Sequence, residues 1–171
     1  MDEKGMSLIE VAIVVAIMAV SAAIAVPNYR QWAANSNLRD GFVNLKGALQ
    51  IARVTAMSGG NPVAIRLNAP EANLYVMFVD ANRNGVWDAG EQILSENGLP
   101  MPPPNGAPTP ATPGVQCFRT GVEFANPPAV IAFLSSGRRS LPNGQVNQII
   151  TLQNGFNLQR TVTVSAIGDI F

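Results

Sequence analysis

The stretch that decides the fold is "KGMSLIEVAIVVAIMAVSAAIAVPNY", Lys4 to Tyr29. Between Met6 and Val26 its only strongly polar residues are Ser7, Glu10 and Ser21. As an α-helix this run reaches roughly 31 Å, about the thickness of a bilayer's hydrocarbon core. A secretory signal peptide would open with basic residues, carry a shorter apolar region and end in a small-residue cleavage site. "MDEKG" is instead acidic on balance, and the run that follows is too long. The segment is therefore expected to stay on the chain as a transmembrane helix. Its Val, Ile and Ala residues tolerate close packing against other helices. Glu10 is the anomaly, because a charge at membrane depth costs roughly 3 kcal/mol or more. Either it sits near the headgroups one turn into the helix, where snorkelling and the helix N-terminus favour it, or it awaits a positive partner inside the membrane.

Pro27 ends the apolar run, and a proline inside a helix removes one hydrogen bond and kinks or locally melts it. The helical pattern then resumes. Leu38, Phe42, Leu45, Leu49 and Ala52 recur at spacings of three and four, while Arg39, Asp40, Asn44, Lys46 and Gln50 take the other face. That stripe is expected to pack on a sheet. "SGGNP", Ser58 to Pro62, supplies the stop.

Beyond it, "PVAIRLN" and "LYVMFVD" read as a hairpin turning at "APEAN", with Val63, Ile65 and Leu67 alternating as in a half-buried strand. "GVEFA", "VIAFLSS", "QIITLQ" and "RTVTVSA" are further short strands, the last two meeting across "NGFN". One antiparallel sheet, or two, is expected against the helix. Residues 98–114, "GLPMPPPNGAPTPATPG", are too proline-rich for a central strand or a helix and read as a surface loop.

The loop "DANRNGVWDAGE" spaces Asp80, Asn82, Asn84, the Val86 carbonyl, Asp88 and Glu91 as the ligands of an EF-hand calcium loop are spaced, with Gly85 at the turn. Alternating oxygens could wrap one ion. The loop follows a strand, however, and only three of the side chains are carboxylates. The other reading is a turn in which Asp and Asn cap backbone amides.

Composition narrows the chemistry. The 171 residues carry 11 basic and 11 acidic side chains, so no net field draws the chain to nucleic acid. The absence of histidine removes the usual general base and the commonest transition-metal ligand, and no catalysis is expected. A single cysteine, Cys117, cannot form an intramolecular disulfide and reads as a small buried apolar side chain.

A short leader ending in Gly5, then Met6, Ser7, Leu8, Ile9, Glu10 and an unbroken apolar helix, resembles the type IV prepilin signal. The resemblance implies cleavage between Gly5 and Met6 by a membrane peptidase and methylation of the new N-terminus at Met6. It also implies that Glu10 pairs with the terminal amine of a neighbouring subunit. "LYVMFVDANRNGVWDAGEQIL" and "AFLSSGRRS" resemble segments of the GspH/FimT family of minor pseudopilins and minor pilins. The implied fold is α+β: a leader (1–5), a long helix (6–57, with 6–26 transmembrane), and a β-rich domain (58–171) holding the proline-rich loop. The implied role is a non-enzymatic subunit of a type II secretion pseudopilus or a type IV pilus. Its partners would be the peptidase, other subunits and the inner-membrane assembly platform. It would sit in the inner membrane as a single-pass protein with a periplasmic domain, and afterwards in the filament. An alternative is DNA binding, which some relatives perform through a C-terminal Gly-Arg-x-Arg. Here "AIGDIF" puts Asp169 where an arginine would be, and Arg138 and Arg139 read as a solvated turn.

Overall fold

The computed structural model describes residues 8–140, apart from 103 and 105, and residues 147–171. One helix, α1 (Leu8–Gly59), runs the length of the molecule, and the strands gather along its C-terminal half. They are β1 (Val63–Leu67), β2 (Leu74–Val79), β3 (Ile93–Leu94), β4 (Val115–Cys117), β5 (Val122–Ala125), β6 (Val130–Phe133), β7 (Asn147–Asn154) and β8 (Gln159–Ser165). The class is α+β, as the patterns require.

The helix ends where its punctuation says. Gly60 takes the left-handed conformation (φ 70°) that closes many helices, and β1 begins just beyond Pro62. The buried face of α1 comprises Leu38, Gly41, Leu45, Ala48, Leu49, Ala52 and Ala56, with Phe42 packed at its margin. Small residues alternate with leucines along this face and let the helix lie close to the sheets. A Cβ on Gly41 would stand 3.2 Å from the Phe118 ring and 3.3 Å from Val122.

Two antiparallel sheets share that face. The first runs β3-β2-β1-β6, with β4 pairing the other end of the β2 edge, and the second runs β5-β7-β8. The expected β1–β2 hairpin pairs Val63 with Val79 through Leu67 with Tyr75, and β7–β8 pairs Asn147 with Ser165 through Gln153 with Gln159. Asn73 links the sheets: its N–H donates to Asn68 Oδ1, and its own Oδ1 accepts the Phe124 N–H. The main core joins Leu38, Leu45 and Leu49 to Ile65, Ile131, Phe133, Ile150, Leu152, Val162 and Val164. Burying each such side chain contributes about 2 kcal/mol.

Three expectations are corrected. β1 is buried on both faces, because Ala64, Val76, Phe78 and Ile93 form a second core covered by Trp87, Met101, Val115 and Val130. Part of that cover comes from the start of the proline-rich stretch, where Met101 N–H bonds the Ile93 carbonyl (2.7 Å) and Pro100 bridges Leu94. A proline needs no donor at such an edge. Cys117 is exposed, since β4 reaches the corner of its sheet there, opposite Leu74. Arg139 is buried, bridging Phe133 and donating its backbone N–H to the Ala166 carbonyl, while Arg138 stays exposed. That burial lowers the Arg139 pKa from its ordinary value.

Candidate functional site

The helix before the domain is the largest functional feature. From Leu8 to Trp32 every residue is exposed: Leu8 is 88% accessible, Ile17 61% and Val20 63%. Its most apolar 18-residue window has mean hydropathy 2.6, and none of it is buried within the chain. An apolar surface of this extent is unstable in water and demands lipid or other helices. Glu10 lies in the first turn of the described helix, exposed along with its apolar neighbours. The sequence-expected cleavage residues, Gly5 and Met6, lie outside the described residues. At Pro27 the helix continues without interruption, so the missing N–H costs one bond, to the Ala23 carbonyl, and does not divide α1.

Just past the apolar run, Tyr29 and Trp32 form a tilted pair with ring centroids 5.9 Å apart, each 66% exposed. Sequence reasoning did not single them out, although exposed aromatics directly after a membrane-length run were the available signal. Above them the domain is tied to the helix by polar contacts at both ends. At the near end Asn154 Nδ2 donates to Asn35 Oδ1 (2.9 Å) and Asn37 Nδ2 to the Thr120 carbonyl. At the far end Arg53 donates to the Gly137 and Ile167 carbonyls and pairs with Asp169 at 3.2 Å. In "AIGDIF", then, Asp169 serves a structural tie. Gly168 is required beside it, with φ 89° and a backbone so close to the Gly137 carbonyl that a Cβ would overlap it.

The loop between β2 and β3 gathers the residues with calcium-like spacing, and its oxygens are turned to its own backbone. Asp80, almost wholly buried, accepts the Asn84 N–H on Oδ1 and the Gly85 N–H on Oδ2. Asn82 Oδ1 takes the Asn84 N–H and Asn84 Oδ1 the Val86 N–H. Each amide therefore presents nitrogen on its other side, and both nitrogens donate to Asp88 Oδ2, at 2.6 and 2.7 Å. Glu91 accepts the Ala81 and Asp88 N–H groups, while Trp87 Nε1 donates to the Glu91 carbonyl. Among the described residues no group of three or more His, Cys, Asp or Glu is placed to hold a metal. In this arrangement the side-chain oxygens of Asp80, Asn82, Asn84 and Glu91 cap the loop's own backbone amides, as the capping-turn reading of the spacing requires.

The comparisons agree with this anatomy. Two crystal forms of the Pseudomonas aeruginosa type IV minor pilin FimU have the same fold, at TM-scores of 0.50 and 0.51. They are 15% and 16% identical in sequence, covering 78% and 82% of this chain and 90% of theirs. No curated protein matches the chain. The model of the prokaryotic N-terminal methylation motif matches residues 1–26, across the leader and the apolar helix. The model of the type II transport protein GspH matches residues 44–168, nearly the whole domain, and the chain belongs to that family of pilin-like proteins.

Proposed function

We propose that the chain is a minor subunit of a pilus or pseudopilus, held in the inner membrane by α1, processed at Gly5–Met6, and then built into a filament. The observation that carries this is the contrast within α1, where a fully exposed apolar half is continuous with a half buried in a domain. Packing against sibling helices in the filament would shield the exposed half as lipid does in the membrane. Glu10 is the one carboxylate in that apolar half, and a terminal amine of a neighbour would neutralise it there. The subunit contributes no catalysis and uses no cofactor. The peptidase and the assembly platform act on it, and the domain lies on the periplasmic side.

The test is the intact mass of the full chain expressed with and without a prepilin peptidase. Loss of Met1 to Gly5 with one added methyl group is expected. An uncut chain would leave a plain membrane anchor and remove the assembly role of Glu10.

A further inference from the structure

The β7–β8 hairpin lies along α1 with a fixed direction. Its open end is near Arg53, which pairs with Asp169 just beyond β8, and its turn is at the level of Asn35. The turn therefore points toward the apolar half of the helix. Asn154, 4% exposed, shapes it: Oδ1 accepts the Phe156 and Leu158 N–H groups while Nδ2 holds Asn35. The turn so fixed displays two apolar side chains, Phe156 (51% exposed) and Leu158 (42% exposed). Tyr29 and Trp32 show their rings just below, on an element more than a hundred residues away in sequence.

We infer that these four residues form a membrane-facing collar, with Tyr29 and Trp32 in the lipid headgroup layer and the Phe156–Leu158 turn resting on its outer surface. The inference rests on the membrane-held state proposed above. Depth supports it. If Val26 ends the hydrocarbon-spanning run, Tyr29 lies roughly 4.5 Å and Trp32 roughly 9 Å further along the helix axis. The headgroup layer is about 5–8 Å thick on each side. Helical side chains tilt toward the N-terminus, which brings the Trp32 ring back into that layer. Aromatic rings with one polar edge favour this zone over both water and hydrocarbon. The hairpin, pinned at Asn35, comes next along the axis, so its exposed apolar tip meets the surface of the lipid. The collar would set how deep the subunit sits and hold the domain upright while it waits for assembly.

Full-length chain in phosphatidylcholine–phosphatidylglycerol vesicles, with Trp32→Phe and Trp87→Phe removing native emission, tests this with one added tryptophan at a time. Ile17→Trp reports insertion and should be quenched by a label deep in the acyl chains. Phe156→Trp should lose emission to a spin label on the headgroup, be spared by the deep label, and be shielded from aqueous iodide. Iodide quenching without headgroup quenching at position 156, with Ile17→Trp still quenched from the deep label, would overturn the collar and leave the membrane reading intact. Shielding at 156 that disappears when the protein is diluted in lipid would assign the cover to a neighbouring subunit and also overturn it. An Ile17→Trp probe untouched by the deep label would bring down the membrane reading and the collar together.

Discussion

The two halves of α1 share one backbone and differ in where their partners lie. After Asn35 the helix buries an apolar stripe inside the chain, with Leu38, Leu45 and Leu49 wholly buried. Before it, Ile13, Ile17, Val20 and Ile24 are all more than half exposed. Propensity does not separate the halves, since both are helical. What separates them is pattern: the buried half is apolar on one stripe only, whereas the exposed half is apolar all round, as a helix must be when its whole surroundings are lipid or other helices. A domain with its own core has thus been fused, without a linker, to an element whose stability comes from outside the chain.

The sharpest way to break this comparison is to truncate one residue in each half. Leu49→Ala should lower the unfolding free energy of the domain by about 3 kcal/mol, since a fully buried leucine leaves a cavity. Ile17→Ala should leave it within about 0.5 kcal/mol of the parent, as surface changes do. Urea midpoints of the full chain in mild detergent would read both. A large effect at Ile17 would mean that the exposed half packs on its own domain.

Next in size is a pH effect confined to the internally packed region. Tyr75, 4% exposed, has its phenol pushed up to about 12, chiefly by burial, with the charges of Glu96 and Cys117 adding to it. The folded chain therefore holds that proton after the unfolded chain has released it, near pH 10. Stability from this source is complete below pH 10 and is lost as pH rises through about 12, by up to roughly 2–3 kcal/mol. Tyr75→Phe should flatten that part of the pH profile, and a loss between pH 10 and 12 equal to the parent's would refute the assignment.

Much of this internal region was legible. The stripe from Leu38 to Ala52, the stop at Gly60 and the long strands follow from apolar periods of three to four and of two, which burial imposes directly. Neither β3, which only the family resemblance implied, nor β4 could be read from the residue pattern, because two or three residues cannot display a period and both strands depend on the edge that β2 offers. Arg139 and Cys117 were misjudged for a related reason: composition says what a side chain prefers, while topology decides whether it stands between sheets or at a corner. Of the candidate site, the apolar run and the place of Glu10 at its start could be read outright, while the role of Glu10 stays with the proposal. The tie from Asn154 to Asn35 could not, since it joins residues 119 apart in sequence.

The polar ties of the buried half give a smaller test. Arg53→Ala removes the donors to the Gly137 and Ile167 carbonyls together with the Asp169 pair. The ion pair is 31% and 51% exposed on its two sides, so water and salt screen it and most of the loss should come from the part-buried bond to Gly137. About 1 kcal/mol is expected, with little dependence on salt. A strong salt dependence would shift the weight to Asp169.

The smallest expected effect is none at all, and it extends the comparison to the Asp80–Glu91 loop. Sequence spacing places this loop with the apolar half of α1, as a region needing something from outside the chain. Its hydrogen bonds place it with the buried half. The Asp80 and Glu91 carboxylates accept backbone amides through both oxygens, and the Asn82 and Asn84 nitrogens meet Asp88 Oδ2 where a cation's charge would otherwise be wanted. Millimolar calcium or a chelator should therefore leave the melting temperature of the full chain unchanged. Asn82→Asp with Asn84→Asp removes both donors and crowds three carboxylates together. That variant should melt lower in chelator, by about 1–3 kcal/mol for the lost bonds and the unpaired charge. Added calcium should restore it at least in part, because the spacing for an oxygen cage is present. A parent chain stabilised by calcium would reverse the argument, and the loop would then join the helix as a part of the molecule completed from outside.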